Sequence, residues 1–77
     1  MRLDLLKRRA ALRDLPDDVV IALDELARGS GQGEIAKVLD ISTTTVDRRL
    51  RTACEALGAE DRSHLRVMVR ELGLGRD

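Results

Sequence analysis

Apolar residues recur at every third or fourth position along almost the whole chain, and polar residues fill the positions between them. This spacing matches the 3.6-residue period of an α-helix. Alternation of apolar and polar residues, which is typical of strands, never extends beyond a few residues, and the sequence contains no internal repeat. The pattern therefore predicts an all-α fold made of several short helices.

The first predicted helix covers residues 3–15, with Leu3, Leu6 and Ala10 on one apolar stripe and basic residues on its polar side. Pro16 follows directly. Proline disfavours a helical residue before it and suits the start of a helix, so Pro16 is expected to end the first helix and begin the next.

The second predicted helix carries Asp17 and Asp18 in its first turn, where carboxylates favour the positive end of the helix dipole. It is expected to stop at the Gly-Ser-Gly sequence of residues 29–31. The last predicted helix covers about residues 61–72. The glycine-containing, charged end that follows, residues 73–77, is expected to fray.

Between these helices lies the most informative stretch of the chain. A short helix is predicted over Gln32–Leu39, a turn at Asp40-Ile41, and a longer helix over Thr43–Leu57. Ser42 is a natural N-cap because its hydroxyl can accept from the backbone N–H groups two or three residues later. Gly58 stands at the usual position of a C-terminal cap. Together these elements predict a helix-turn-helix over residues 32–57.

The longer helix has two distinct faces. At 100° per residue, one arc is apolar and the opposing arc is polar. The apolar arc contains Val46, Leu50, Ala53, Cys54 and Leu57, and the polar arc contains Thr44, Asp47, Arg48, Arg51 and Glu55. A helix of this kind fits the major groove of B-DNA, where arginine binds O6 and N7 of guanine with two nitrogens. Arg48 and Arg51 are therefore predicted to contact bases.

The start of the same helix is rich in hydroxyl groups. A helix N-terminus and neighbouring hydroxyls are common ligands of phosphate oxygens, and three consecutive threonines are poor helix formers. The residues predicted to contact DNA phosphates are Ser42, Thr43, Thr44, Thr45 and Arg49. Simple capping of the helix is an equally good explanation of the hydroxyl run, and the two roles are compatible.

Residues 15–74 resemble the DNA-binding domain of LuxR-type regulators. The resemblance rests on Glu34-Ile35-Ala36, Ile41-Ser42, Thr45-Val46, Leu57-Gly58 and His64-Leu65, and needs no gap through Gly58. It implies a four-helix domain, preceded in this chain by an extra basic amphipathic helix over residues 1–14. It also implies base contacts from Asp47, Arg48 and Arg51.

The same resemblance implies that the domain binds DNA as a homodimer with its last helix at the seam. The residues assigned to that seam are Leu65, Val67, Met68 and Leu72. Region four of bacterial sigma factors shares most of the motif set, and Leu15-Pro16 and Arg49-Leu50 are similar to that group. A module that binds promoter DNA and docks on RNA polymerase is therefore an alternative.

The chain also departs from the LuxR-type pattern. The family opens its first helix with Thr-x-Arg-Glu-x-Glu, whose key positions are Pro16, Asp18, Val19 and Ile21 here. Asp40 stands at a turn where glycine is common, and aspartate tolerates a left-handed conformation less well. Basic residues common in the family are replaced by Gly33 and Asp47, which weakens the attraction to phosphate. Asp47 is expected to accept from cytosine N4 or to repel unwanted sequences.

The 77-residue chain has 14 basic and 14 acidic residues and no net charge. Residues 1–13 sum to +4, residues 14–40 to −5 and residues 41–77 to +1. Neutrality does not exclude a polyanion as partner, because binding depends on the field of one face. The acidic central segment leaves a third possibility open, a protein-interaction module that has lost DNA binding.

Composition excludes several other classes. A single cysteine cannot build a disulfide framework, no apolar run approaches the ~20 residues that span a bilayer, and there is no signal-peptide pattern, so a cytoplasmic protein is expected. Without aromatic residues the chain has no platform for stacking single-stranded bases. No nucleophile is paired with a base and no metal-spaced ligands occur, so neither an enzyme, a metal, a cofactor nor a small-molecule ligand is predicted.

Overall fold

The computed structural model describes residues 2–75, with the backbone alone for residues 2–4. Its five helices are α1 (Arg2–Asp14), α2 (Asp17–Ala27), α3 (Gln32–Leu39), α4 (Thr43–Leu57) and α5 (Arg62–Glu71). The described part of the chain contains no strand. The predicted fold is confirmed: a four-helix helix-turn-helix domain, α2–α5, preceded by an additional helix.

The helix boundaries lie where local chemistry places them. Pro16, with φ −58° and ψ 152°, separates α1 from α2, and Gly29 follows α2 with φ 94°. Gly58 ends α4 in the left-handed conformation, at φ 75°, which glycine adopts without steric cost. Asp61 caps α5, because its carboxylate accepts from the backbone N–H of His64 at 2.8 Å. These local signals are readable in the sequence because each involves neighbouring residues.

The core is aliphatic and lies between α2, α3, α4 and α5. Its buried residues are Val19, Ala22, Leu23, Leu26, Ala27, Ile35, Ala36, Val46, Leu50, Ala53, Leu57, Leu65, Met68 and Val69. On α4 they include four of the five residues of the predicted apolar arc, and the fifth, Cys54, is half-buried. Burial of an aliphatic side chain contributes about 1.5–3 kcal/mol, and this core holds α4 with its polar arc outward.

The burial of α5 corrects the predicted dimer seam. Leu65 is 0% exposed and Met68 is 2% exposed within the single chain. Neither side chain can meet a partner, since each already fills the core that α5 shares with α2 and α4. Of the other two predicted seam residues, Val67 is 55% exposed and Leu72 is half-buried.

The face of α1 that packs against the core is not the apolar stripe that carries Leu6 and Ala10. Ala11, Leu12 and Leu15 pack against the core, whereas Leu6 is 60% exposed and Ala10 is exposed. The side chain of Leu3 lies outside the described residues. Leucines occur on both sides of α1, and its packing against the rest of the domain decides which side is covered.

The segment after α5 turns back onto α2 instead of fraying. The backbone N–H of Gly75 donates to the Asp24 carboxylate at 2.8 Å, and Leu74 packs against the core. Gly75 has φ 75°, and a Cβ atom there would lie 2.7 Å from Cβ of Ala27. The close approach requires glycine, so this residue has a structural role; residues 76–77 lie outside the described part.

Within residues 2–75, no helix combines the length and the apolar character needed to cross a membrane.

Candidate nucleic-acid interface

The turn between α3 and α4 is held by backbone hydrogen bonds. Asp40 adopts the left-handed conformation, with φ 54° and ψ 47°, and is the one residue other than glycine in the described chain with positive φ. Its N–H donates to the Lys37 carbonyl at 3.3 Å, and the Ile41 N–H donates to the Ala36 carbonyl at 3.0 Å. This pair of bonds is a Schellman motif. With Ile41 packed against the core, it fixes where α4 starts relative to α3.

The hydroxyl-rich start of α4 divides into two pairs. Ser42 Oγ accepts from the Thr45 N–H at 3.1 Å and lies 2.9 Å from Thr45 Oγ1, which confirms Ser42 as the N-cap. Thr43 and Thr44 are exposed, and their hydroxyls have no hydrogen bond to the part of the chain that the structure describes. Capping therefore engages Ser42 and Thr45, and the other two hydroxyls are available to a ligand.

The outward face of α4 carries two arginines. Arg48 is exposed and has no ion pair within the described residues. The side chain of Arg51 is 76% exposed, and its Nε lies 3.1 Å from Oδ2 of Asp47 one turn earlier. Thr44 and Glu55 are also exposed on this face. Two exposed arginines, three residues apart, thus lie on the outward face of a helix whose opposite side is buried in the core.

Asp47 does not stand free on this face as predicted. Its Oδ1 accepts from Arg62 Nη2 at 2.9 Å while its Oδ2 faces Arg51, so both oxygens are engaged. Arg62 Nη1 also donates to Gln32 Oε1 at 2.9 Å, and Gln32 Nε2 donates to the Thr43 carbonyl at 2.6 Å. One polar network therefore joins the starts of α3, α4 and α5.

The sequence contains a signal for only part of this network. Asp47 and Arg51 are four residues apart on a helix, which is the spacing of an ion pair. Gln32 and Arg62 are 30 residues apart and Asp47 and Arg62 are 15 apart, and no periodic pattern relates them. Gln32 and Arg62 are therefore not among the site residues predicted from the sequence.

Arg49 occupies a different position from the predicted phosphate contact. Its Nε donates to Oδ2 of Asp18 in the first turn of α2 at 2.8 Å, and both side chains are close to half exposed. The guanidinium is thereby directed toward α2 and away from the arc that carries Arg48. Arg49 ties two helices together, and its attraction for phosphate is offset by the neighbouring carboxylate.

A hollow of about 380 Å³ lies beside the network, between α4 and the start of α5. Cys54 lines it, and burial raises the pKa of its thiol, so the reactive thiolate is disfavoured. No group of three or more histidine, cysteine or carboxylate side chains in the described part of the chain could hold a metal ion.

Comparison of the chain with family models, with curated proteins and with solved structures gave no match.

Proposed function

We propose that the protein is a sequence-specific, double-stranded DNA-binding transcriptional regulator that acts in the cytoplasm. Helix α4 would lie in the major groove. The observation that carries the proposal is the outward pair Arg48 and Arg51 on a capped helix whose other face is buried. An α-helix fits the major groove, and guanidinium groups recognise guanine there.

Contacts to the DNA backbone would come from the start of α4. The exposed hydroxyls of Thr43 and Thr44 and the backbone N–H groups of the first turn are donors of the kind that phosphate oxygens accept. Ser42 and Thr45 would support this end of the helix through the cap. This division of roles assigns base contacts to the arginines and positioning contacts to the helix N-terminus.

A homodimer would place two copies of α4 about one DNA turn apart, roughly 34 Å, on a near-palindromic site. Val67, which is exposed on α5, is the residue best placed among the predicted seam residues to contact a partner. The arrangement is that of the LuxR-type domains that the sequence resembles. A promoter-binding module of the sigma-region-four kind would instead behave as a monomer and copurify with RNA polymerase.

Selection of bound duplexes from a random pool tests the proposal, followed by fluorescence anisotropy on the selected site at several salt concentrations. We expect Arg51→Ala to lose about 1–3 kcal/mol of binding free energy on that site and to relax the preference at one base pair. Arg66→Ala, which removes an equal charge from the exposed side of α5, serves as the matched control and should retain the preference.

Two results would contradict the proposal. Absence of duplex binding at low ionic strength would favour the protein-interaction module instead. Equal loss on every sequence after Arg51→Ala would show that this residue contacts the DNA backbone and not a base.

A further inference from the structure

We infer that Asp47 is a specificity-determining positioning residue, which orients Arg51 toward guanine and does not itself contact a base. The inference rests on the proposed function and concerns the same helix. The distance between Oδ2 of Asp47 and Nε of Arg51 is 3.1 Å. This contact is an ion pair, and no guanidinium nitrogen of Arg51 forms a hydrogen bond with the residues that the structure describes.

The contact at Nε is important because arginine recognises guanine with two guanidinium nitrogens. O6 and N7 lie side by side on the major-groove edge and accept from two guanidinium nitrogens at once. A carboxylate that faces Nε in an ion pair attracts the guanidinium group toward one side of α4 and leaves the terminal nitrogens without a hydrogen bond. The Arg51 side chain remains 76% exposed, so its free end can reach a ligand.

Asp47 is itself held in place from two other helices. Arg62, at the start of α5, donates through Nη2 to Asp47 Oδ1 at 2.9 Å. The other terminal nitrogen of Arg62 donates to Gln32 in α3 at 2.9 Å. The position of the Asp47 carboxylate therefore depends on the packing of α3, α4 and α5. Through its ion pair with Asp47, the orientation of Arg51 depends on the same packing.

The same geometry argues against a direct base contact by Asp47. Each carboxylate oxygen of Asp47 already faces a guanidinium group, so cytosine N4 would compete with Arg62 and Arg51 for it. A carboxylate beside Arg51 also reduces the attraction of this surface for phosphate on any sequence. Asp47 should thus lower non-specific affinity and raise discrimination, since a pre-oriented arginine loses less freedom on binding.

The experiment compares wild type with Asp47→Asn, using the full chain and two duplexes: the selected site, and the same site with the guanine facing Arg51 replaced. We expect the ratio of the two affinities to fall about tenfold in Asp47→Asn, while affinity for the replaced site stays equal or rises. In an Arg51→Ala background, Asp47→Asn should cause no further loss of discrimination, since the positioned group is absent.

Glu55→Gln is the matched control, because it removes one exposed carboxylate from the same face of α4 without an ion pair to Arg51. It should change both affinities by the same factor. Thermal denaturation of each variant establishes that the fold is retained before binding is compared.

Two results would overturn the inference while leaving the proposed function intact. One is wild-type discrimination in Asp47→Asn. The other is an equal loss of discrimination from Asp47→Asn with and without Arg51, which would make Asp47 a base contact. If wild type showed no preference between duplexes, the proposed function would fail and the inference with it.

Discussion

The Nε atom of Arg49 lies 2.8 Å from Oδ2 of Asp18, so a side chain of α4 is bound to a residue 31 positions earlier, in the first turn of α2. The contact joins the helix proposed to enter DNA to the helix on which it rests. It also distinguishes Arg49 from Arg48, which has no ion pair in the described part of the chain. These neighbouring arginines therefore have different surroundings, since Arg49 is paired with a carboxylate of α2 and Arg48 is exposed.

The first prediction concerns these two arginines. Arg49→Ala should weaken binding to a duplex less than Arg48→Ala, because the charge of Arg49 is already offset by Asp18. Asp18→Asn should strengthen binding to every duplex and steepen the salt dependence, since it releases a cation. Both partners are close to half exposed, so unfolding free energies should change by less than about 1 kcal/mol. Equal losses from Arg48→Ala and Arg49→Ala in anisotropy titrations between low and moderate salt would contradict this assignment.

The second prediction separates the core of α5 from its outer surface. Met68→Ala should lower the unfolding free energy by about 2–5 kcal/mol because it empties a buried site. Val67→Ala should leave unfolding nearly unchanged, within about 0.5 kcal/mol, and should weaken self-association if α5 forms the seam. Chemical denaturation and sedimentation at several protein concentrations measure the two effects. A stable Met68→Ala variant would show that the placement of α5 is wrong.

The third prediction tests the turn before α4. Asp40 has φ 54°, a conformation that costs residues with a Cβ roughly 1–2 kcal/mol and costs glycine little. Asp40→Gly should therefore be more stable than Asp40→Ala by about 1–2 kcal/mol. The two variants lose the same carboxylate, so the difference reports the backbone alone. Equal melting temperatures for the pair would indicate that the turn is not left-handed.

The fourth prediction concerns pH. The Gly75 backbone N–H, and then Arg28, hold the pKa of Asp24 below its ordinary value of 3.8. A carboxyl with a lowered folded-state pKa stabilises the fold above its unfolded pKa and loses that contribution as the pH falls through the folded value. Stability should therefore decrease on acidification below about pH 4, and Asp24→Asn should make this decrease shallower. Denaturation curves from pH 5 downward measure it; identical slopes for both proteins would contradict the role of Asp24.

Helix positions, caps and the inward side of α4 could be predicted from the sequence because their causes are local. Pro16, Ser42 and Gly58 act on residues within one turn, and the spacing of Val46 and Leu50 fixes which side of α4 is apolar. The outward exposure of Arg48 and Arg51 follows from the same periodicity. None of these features depends on residues that are distant in the sequence.

Contacts between different helices could not be predicted in this way. Both sides of α1 carry leucine, and only packing selects Leu12 over Leu6. Likewise, the spacing of the charged residues gave no indication that Arg49 would meet Asp18 or that Arg62 would meet Asp47.

The sequence alone thus determined an all-α chain with a capped, two-faced helix at its centre. The tertiary structure decided that Arg62 holds Asp47, that Arg49 turns toward Asp18, and that Gly75 closes on Asp24. The physical reason is the range of the interactions. Hydrogen bonds and side-chain spacing within a helix involve residues a few positions apart, whereas a contact between distant segments depends on where the packed core brings them together.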